Sequence, residues 1–164
     1  MNSSHTSAGA VAAVLVSPDP LDHRVFQAYF DSRRWRLFHA WSAEQGREVI
    51  AQSASALVIV DEHLPDGDWR DLLSGEGGDS RQFLLLADYV DERLWKSAGR
   101  RPPFDVVARP LTPHKVSRAV ALARLDWQLK THLGWELKWQ HLPSGVRRAE
   151  TADWHPGTLR KQAS

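Results

Sequence analysis

The run LVIVDEHLPDG, Leu57 to Gly67, passes straight from apolar residues into an acid, Asp61, and then into a Leu-Pro-Asp-Gly turn. A short unbroken apolar run reads as a buried parallel strand. In open α/β sheets the chemistry gathers just past the carboxyl ends of the strands. Asp61 therefore stands where a carboxylate can react. Other reactive groups are harder to assemble. There is no cysteine, which removes thiol catalysis, disulfides and cysteine metal sites. The eight histidines, at positions 5, 23, 39, 63, 114, 132, 141 and 155, show no metal-ligand spacing and read as solvated surface groups. No G-x-S-x-G elbow, P-loop or strand-linked G-x-G-x-x-G is present. No nucleophile–base set is visible, so the chain does not read as an enzyme.

The elements that must position Asp61 alternate along the chain. Val11 to Val16 reads as the first strand, and Asp19-Pro20 as an N-cap and first-turn pair opening a helix. Leu21, Val25, Ala28 and Tyr29 give that helix an apolar face. Trp35 to Trp41 is a second strand. Ser42 and Gln45 make a capping-box signature before a helix with Val49 and Ile50 on its apolar side. The third strand is Leu57 to Asp61, followed by a helix or turn at Trp69 to Leu73 and a loop at Gly75 to Asp79. Phe83 to Ala87 is strand four, Asp91 to Ala98 a short helix stopped by Gly99, and Phe104 to Ala108 strand five. Thr112-Pro113 opens a last helix with Val116, Ala119, Val120 and Ala123 on one face. Five such βα units imply a doubly wound (βα)5 parallel sheet with helices on both faces, an α/β fold.

The 164 residues suit one domain with an appendage. Residues 1–10 are expected to be disordered, 11–126 to form the domain, and 127–164 to be a Trp-rich basic extension, part helix and part disordered. Residues 1–112 hold 12 basic and 16 acidic side chains, whereas 113–164 hold nine and four. Leu125, Leu129, Leu133 and Leu137 recur every four residues, with Gly134 as a weak point. The first apolar piece is too short for a signal peptide, and no run is long enough to span a membrane. A cytoplasmic protein is expected.

Four segments carry a resemblance: VLVSPDPLDHR (Val14 to Arg24), LVIVDEHLPDGDW (Leu57 to Trp69), LLLADYVDE (Leu84 to Glu92) and DVVARPLTP (Asp105 to Pro113). In that order, at successive strand ends, they resemble the receiver domain of two-component response regulators over roughly Val11 to Leu125. The resemblance implies a flavodoxin-like three-layer sandwich, here with a helical C-terminal extension. It also implies that Asp61 is the nominal acceptor of a phosphoryl group from a histidine kinase. The family's Mg²⁺-binding acid pair falls on Ser17 and Pro18, its strand-four hydroxyl on Ala87, its strand-five lysine on Arg109 before Pro110, and its switch aromatic on Val106. The likeness is therefore to a degenerate, pseudo-receiver form.

Phosphoryl transfer to a carboxylate needs cations to neutralise the charge that it brings together. Mg²⁺ wants several hard oxygen ligands, and Ser17 with Pro18 supplies a poor set. Asp19 and Asp61 are the weak metal candidates. Glu62 and Asp88 are the other nearby acids, with Glu62 expected to point away from Asp61. Arg109 stays charged and can grip a carboxylate with two N–H groups, so a standing Asp61–Arg109 pair is expected.

These readings converge on a signalling module that acts through protein contacts without phosphorylation and without a cofactor. The partner would be another protein or a histidine kinase, with a homodimer through the last strand and helix as a further arrangement. Trp127, Leu129, Trp135 and Trp139 are the expected interface anchors. A phosphorylation-competent regulator in a phosphorelay, with Mg²⁺ recruited by Asp19 or Asp88, is one alternative, and a regulator whose basic tail contacts nucleic acid is another. The dispersed Lys130, Lys138, Arg147, Arg148, Arg160 and Lys161 argue against nucleic acid as the partner.

Overall fold

The computed structural model describes residues 11–33, 35–74, 81–98 and 102–132. Five parallel strands form one sheet: β1 (Ala12–Val16), β2 (Arg36–Ala40), β3 (Leu57–Asp61), β4 (Gln82–Ala87) and β5 (Asp105–Ala108), in the spatial order β2-β1-β3-β4-β5. The helices between and after them are α1 (Pro20–Ser32), α2 (Ala43–Gln52), α3 (Trp69–Leu73), α4 (Glu92–Ser97) and α5 (Pro113–His132). This is the doubly wound flavodoxin-like sandwich, with a C-terminal helix. The chain divides into two compact units, Met1–Trp127 and Gln128–Ser164. All five strands lie in the first, and only the last turn of α5 is described in the second. The loop 75–79, the stop at Gly99, Trp135 and Trp139 fall outside the described residues.

The central strands β1, β3 and β4 are apolar over most of their length because both faces of the sheet are covered there. Ala13, Leu15, Leu57, Ile59, Leu84 and Leu86 face one layer, against Phe26 and Phe30 of α1 and Val116, Ala119, Val120 and Ala123 of α5. Val14, Val16, Val58, Val60, Phe83 and Leu85 face the other, against Ile50 of α2 and Trp69, Leu72 and Leu73 of α3. Alternate side chains of a strand point to opposite faces, so one apolar run fills two cores. Helix α2 lies especially close. A Cβ on Gly46 would sit 3.0 Å from both Val16 methyls.

Helix α1 differs from its expected face. Its buried residues are Asp22, His23, Phe26 and Phe30, while Leu21 is 62 % exposed. The apolar stripe Leu21–Val25–Ala28–Tyr29 is turned one position away from the core, and Val25 and Tyr29 only flank it. The cause is the first turn of α1, which faces the carboxyl edge of the sheet and buries polar groups there. The capping pattern before α2 also differs. Ser42 accepts from Gln45 N–H, but Gln45 Oε1 accepts from Trp41 N–H, one residue before the cap.

Candidate functional site

Three parallel strand ends deliver the site. In register, Val16 lies beside Val60, Asp61 beside Leu86, and Ala87 beside Ala108. The next residues of β1 and β5, Ser17 and Arg109, therefore meet Asp61 at one edge. The chain turns left from β1 to β2 and right to β3, so the crevice between β1 and β3 is the switch point where such sheets carry their sites.

Asp61 is buried, and both its oxygens are engaged. Oδ1 accepts the His63 backbone N–H at 2.8 Å. Oδ2 accepts from Arg109 Nη2 at 2.5 Å and lies 3.3 Å from Ser17 Oγ. The same Nη2 donates to Asp22 Oδ2 at 2.6 Å. Ser17, fully buried, donates to Asp22 Oδ2 at 2.7 Å and accepts the Asp19 N–H at 3.1 Å. Arg109 Nη1 reaches the exposed Asp88 at 3.4 Å. Burial alone would lower the Arg109 pKa, but Asp22 and Asp61 together hold it above its ordinary value. One guanidinium thus binds two buried carboxylates that would otherwise repel. The loop carrying it is tied down by Lys115, whose Nζ donates to the carbonyls of Ala108 and Pro110 at 3.0 and 3.1 Å.

Asp22 has no place in the sequence reading, which sets Asp61 among Ser17 and Pro18 without a second buried acid. A signal was present. Asp22, Phe26 and Phe30 are spaced by four, so one helix face carries the acid and two core aromatics. Acid in a first helical turn ordinarily complements the helix dipole, which conceals this case.

The remaining expected residues are placed as follows. Pro18 is exposed and contributes no side-chain oxygen. Asp19 caps α1, accepting the Leu21 N–H at 2.8 Å, and does not reach Asp61. Ala87 is fully buried at the end of β4 and carries no hydroxyl, and Val106 packs half-buried in the second core. Glu62 turns to the rim, where its Oε1 accepts the Asp88 N–H at 2.8 Å. Trp127 and Leu129 are half-buried on α5. The histidines are not all surface groups. His23 is buried, bonded to Ser17 O and to His39, and stacked on Trp41.

A bound Mg²⁺ requires an open position ringed by oxygens. Here the position between the two carboxylates is filled by Arg109 Nη2, and the hydroxyl of Ser17 is spent on Asp22. The residues as arranged do not fit the metal.

No protein-family model matches the sequence, and no curated protein matches it. Solved structures do match in fold. A signal receiver domain of an HD domain-containing protein from Pseudomonas fluorescens is 20 % identical at a TM-score of 0.64, covering 72 % of this chain and 97 % of its own. A signal receiver domain of a LuxO-type repressor from Vibrio parahaemolyticus is 18 % identical at 0.66, covering 73 % and 94 %. A response regulator receiver domain from Clostridium thermocellum is 15 % identical at 0.65, covering 74 % and 99 %. At these identities the likeness shows the receiver fold.

Proposed function

We propose that this chain is a response-regulator receiver-like signalling module, a pseudo-receiver, that acts through protein contacts and does not depend on phosphorylation of Asp61. It catalyses no reaction of its own. The observation that carries this reading is Arg109 Nη2 standing between Asp22 and Asp61, where the cation of phosphoryl transfer would have to be. Three further features support it: a serine and a proline at the end of β1, an alanine at the end of β4, and a valine in β5. Each takes away a group that would ligate, report or relay a phosphoryl group. The partner is a protein, docked through β5 and α5 with Trp127 and Leu129 among the contacts; a homodimer through the same elements is the variant arrangement. No described helix is long and apolar enough to cross a membrane, and we place the module in the cytoplasm.

Incubation with Mg²⁺ and acetyl phosphate, followed by intact-mass measurement of the wild type and Asp61→Asn, tests the reading. The expected result is no mass change in either. A gain of one phosphoryl group in the wild type, absent from the Asn variant, would show a working acceptor and overturn it.

A further inference from the structure

A chain of hydrogen bonds runs from the Ser17 carbonyl, at the end of β1 and beside the Asp61 site, to the last turn of α1. His23 Nε2 meets the Ser17 carbonyl at 2.8 Å. His23 Nδ1 meets His39 Nδ1 at 2.7 Å. His39 Nε2 meets Gln27 Oε1 at 2.7 Å, and Gln27 Nε2 donates to Asp31 at 2.6 Å. The indole of Trp41 stacks on the His23 ring, with centroids 3.8 Å apart and planes 23° apart.

The two ends of this chain fix its protons. A carbonyl oxygen only accepts, so His23 Nε2 carries hydrogen. Asp31 accepts from the Gln27 amide, so Gln27 turns its oxygen to His39, and His39 Nε2 carries hydrogen as well. The facing Nδ1 atoms at 2.7 Å need one further hydrogen between them. That is three hydrogens on four ring nitrogens, one more than two neutral imidazoles hold and one fewer than two imidazolium ions hold.

We propose that His23 and His39 form a single-proton site, in which one proton taken up by the pair completes the chain and fastens strand β2 to helix α1. The two rings share it and never hold two. Trp41 favours the charged form, because a cation over an indole face is attracted by the ring quadrupole. A second charge is resisted: desolvation of the inner part of the His39 ring, whose outer edge is exposed, and then the charge on His23 lower the His39 pKa. The other charged groups around the pair do not substitute for the proton. On α1, Asp22 is held by Arg109, Asp19 is spent on its cap, Arg24 is exposed and Asp31 closes the chain through Gln27. On β2, Arg36 lies over Phe38, and β1 offers only the Ser17 carbonyl. When the proton leaves, a lone pair of His39 faces the Gln27 oxygen, and the Gln27 side chain must turn and release either His39 or Asp31. The acidity of the medium thereby sets how β2, an edge strand, is tied to the body.

Proton uptake by the full-length wild type, measured by potentiometric titration from pH about 9 to about 4.5, is compared with the variant His23→Gln/His39→Gln. Two ordinary imidazoles, with pKa values of roughly 6.5, would account for two protons over that range. The expected difference is one. A difference of two means independent histidines and a difference of zero means a neutral pair, and either overturns the proposal. The ring nitrogen signals of ¹⁵N-labelled wild type give the same answer without a variant. Followed from pH about 9 to about 4.5, the pair is expected to pass from two protonated nitrogens to three, and a count that stays at two or reaches four refutes it.

Discussion

Removing the Arg109 guanidinium tests the site most directly. Arg109→Met keeps much of the aliphatic stem and leaves Asp22 and Asp61 facing each other with no counter-charge. Asp22 and Asp61 are 4 % and 5 % exposed, whereas the arginine is 21 % exposed. Each carboxylate loses a charge-assisted bond, of 2.6 and 2.5 Å respectively. Such bonds contribute roughly 1.5–3 kcal/mol each, and breaking a buried pair from one side costs about 3–5 kcal/mol. The partial exposure of the arginine places this case near the lower end, at about 3 kcal/mol. The 3.4 Å contact with exposed Asp88 adds almost nothing. For a domain of this size that loss lowers the thermal midpoint on the order of 10 °C. Adding Asp61→Asn should restore a large part of it, since the repulsion disappears with the charge. The assay is urea unfolding of the wild type, both single variants and the double variant as a cycle. A loss below about 1 kcal/mol in Arg109→Met, or no recovery in the double variant, would refute the picture of a guanidinium holding two buried acids; magnitudes are read against the ~0.5 kcal/mol limit of additivity.

Two further outcomes follow from neighbouring geometry. Gly46→Ala should lower the urea midpoint by about 1 kcal/mol of stability. The new methyl meets Val16, which is fully buried in the central sheet and has nowhere to move, and overpacking of about 1–3 kcal/mol exceeds the roughly 1 kcal/mol gain in helix propensity; an unchanged or raised midpoint would contradict the close approach. Asp66, in the turn after β3, accepts the Ala43 and Glu44 N–H groups at 2.6 and 3.0 Å and so caps α2 from a distant segment. The Glu44 N–H, and then that of Ala43, lower its pKa. Its stabilisation is therefore complete above the ordinary aspartate value and is lost as pH falls through the lower folded value. Asp66→Asn should flatten that acid limb in a stability-versus-pH series, and an unaltered limb would remove the cap from the account.

What the sequence determines by itself is local. Continuous apolar runs such as Leu57–Val60 and Leu84–Leu86 name strands covered on both sides, and Asp19-Pro20 and Thr112-Pro113 mark the starts of α1 and α5. Strand ends in that alternation bring Asp61, Ser17, Ala87 and Arg109 to one edge, because parallel strands all end there. The rotation of a helix about its axis is a different kind of quantity. Apolar content placed the face of α1 on Leu21, Val25, Ala28 and Tyr29, yet packing against β1 and β2 buries Asp22 and His23 with Phe26 and Phe30. Burying an acid and an imidazole becomes tolerable only when Arg109, 87 residues away, and His39, 16 residues away, arrive to bond them. Those partners come from β2 and from the residue that follows β5. Local spacing carries no record of them, so the doubly paired arginine and the paired histidines were decided by the tertiary structure alone.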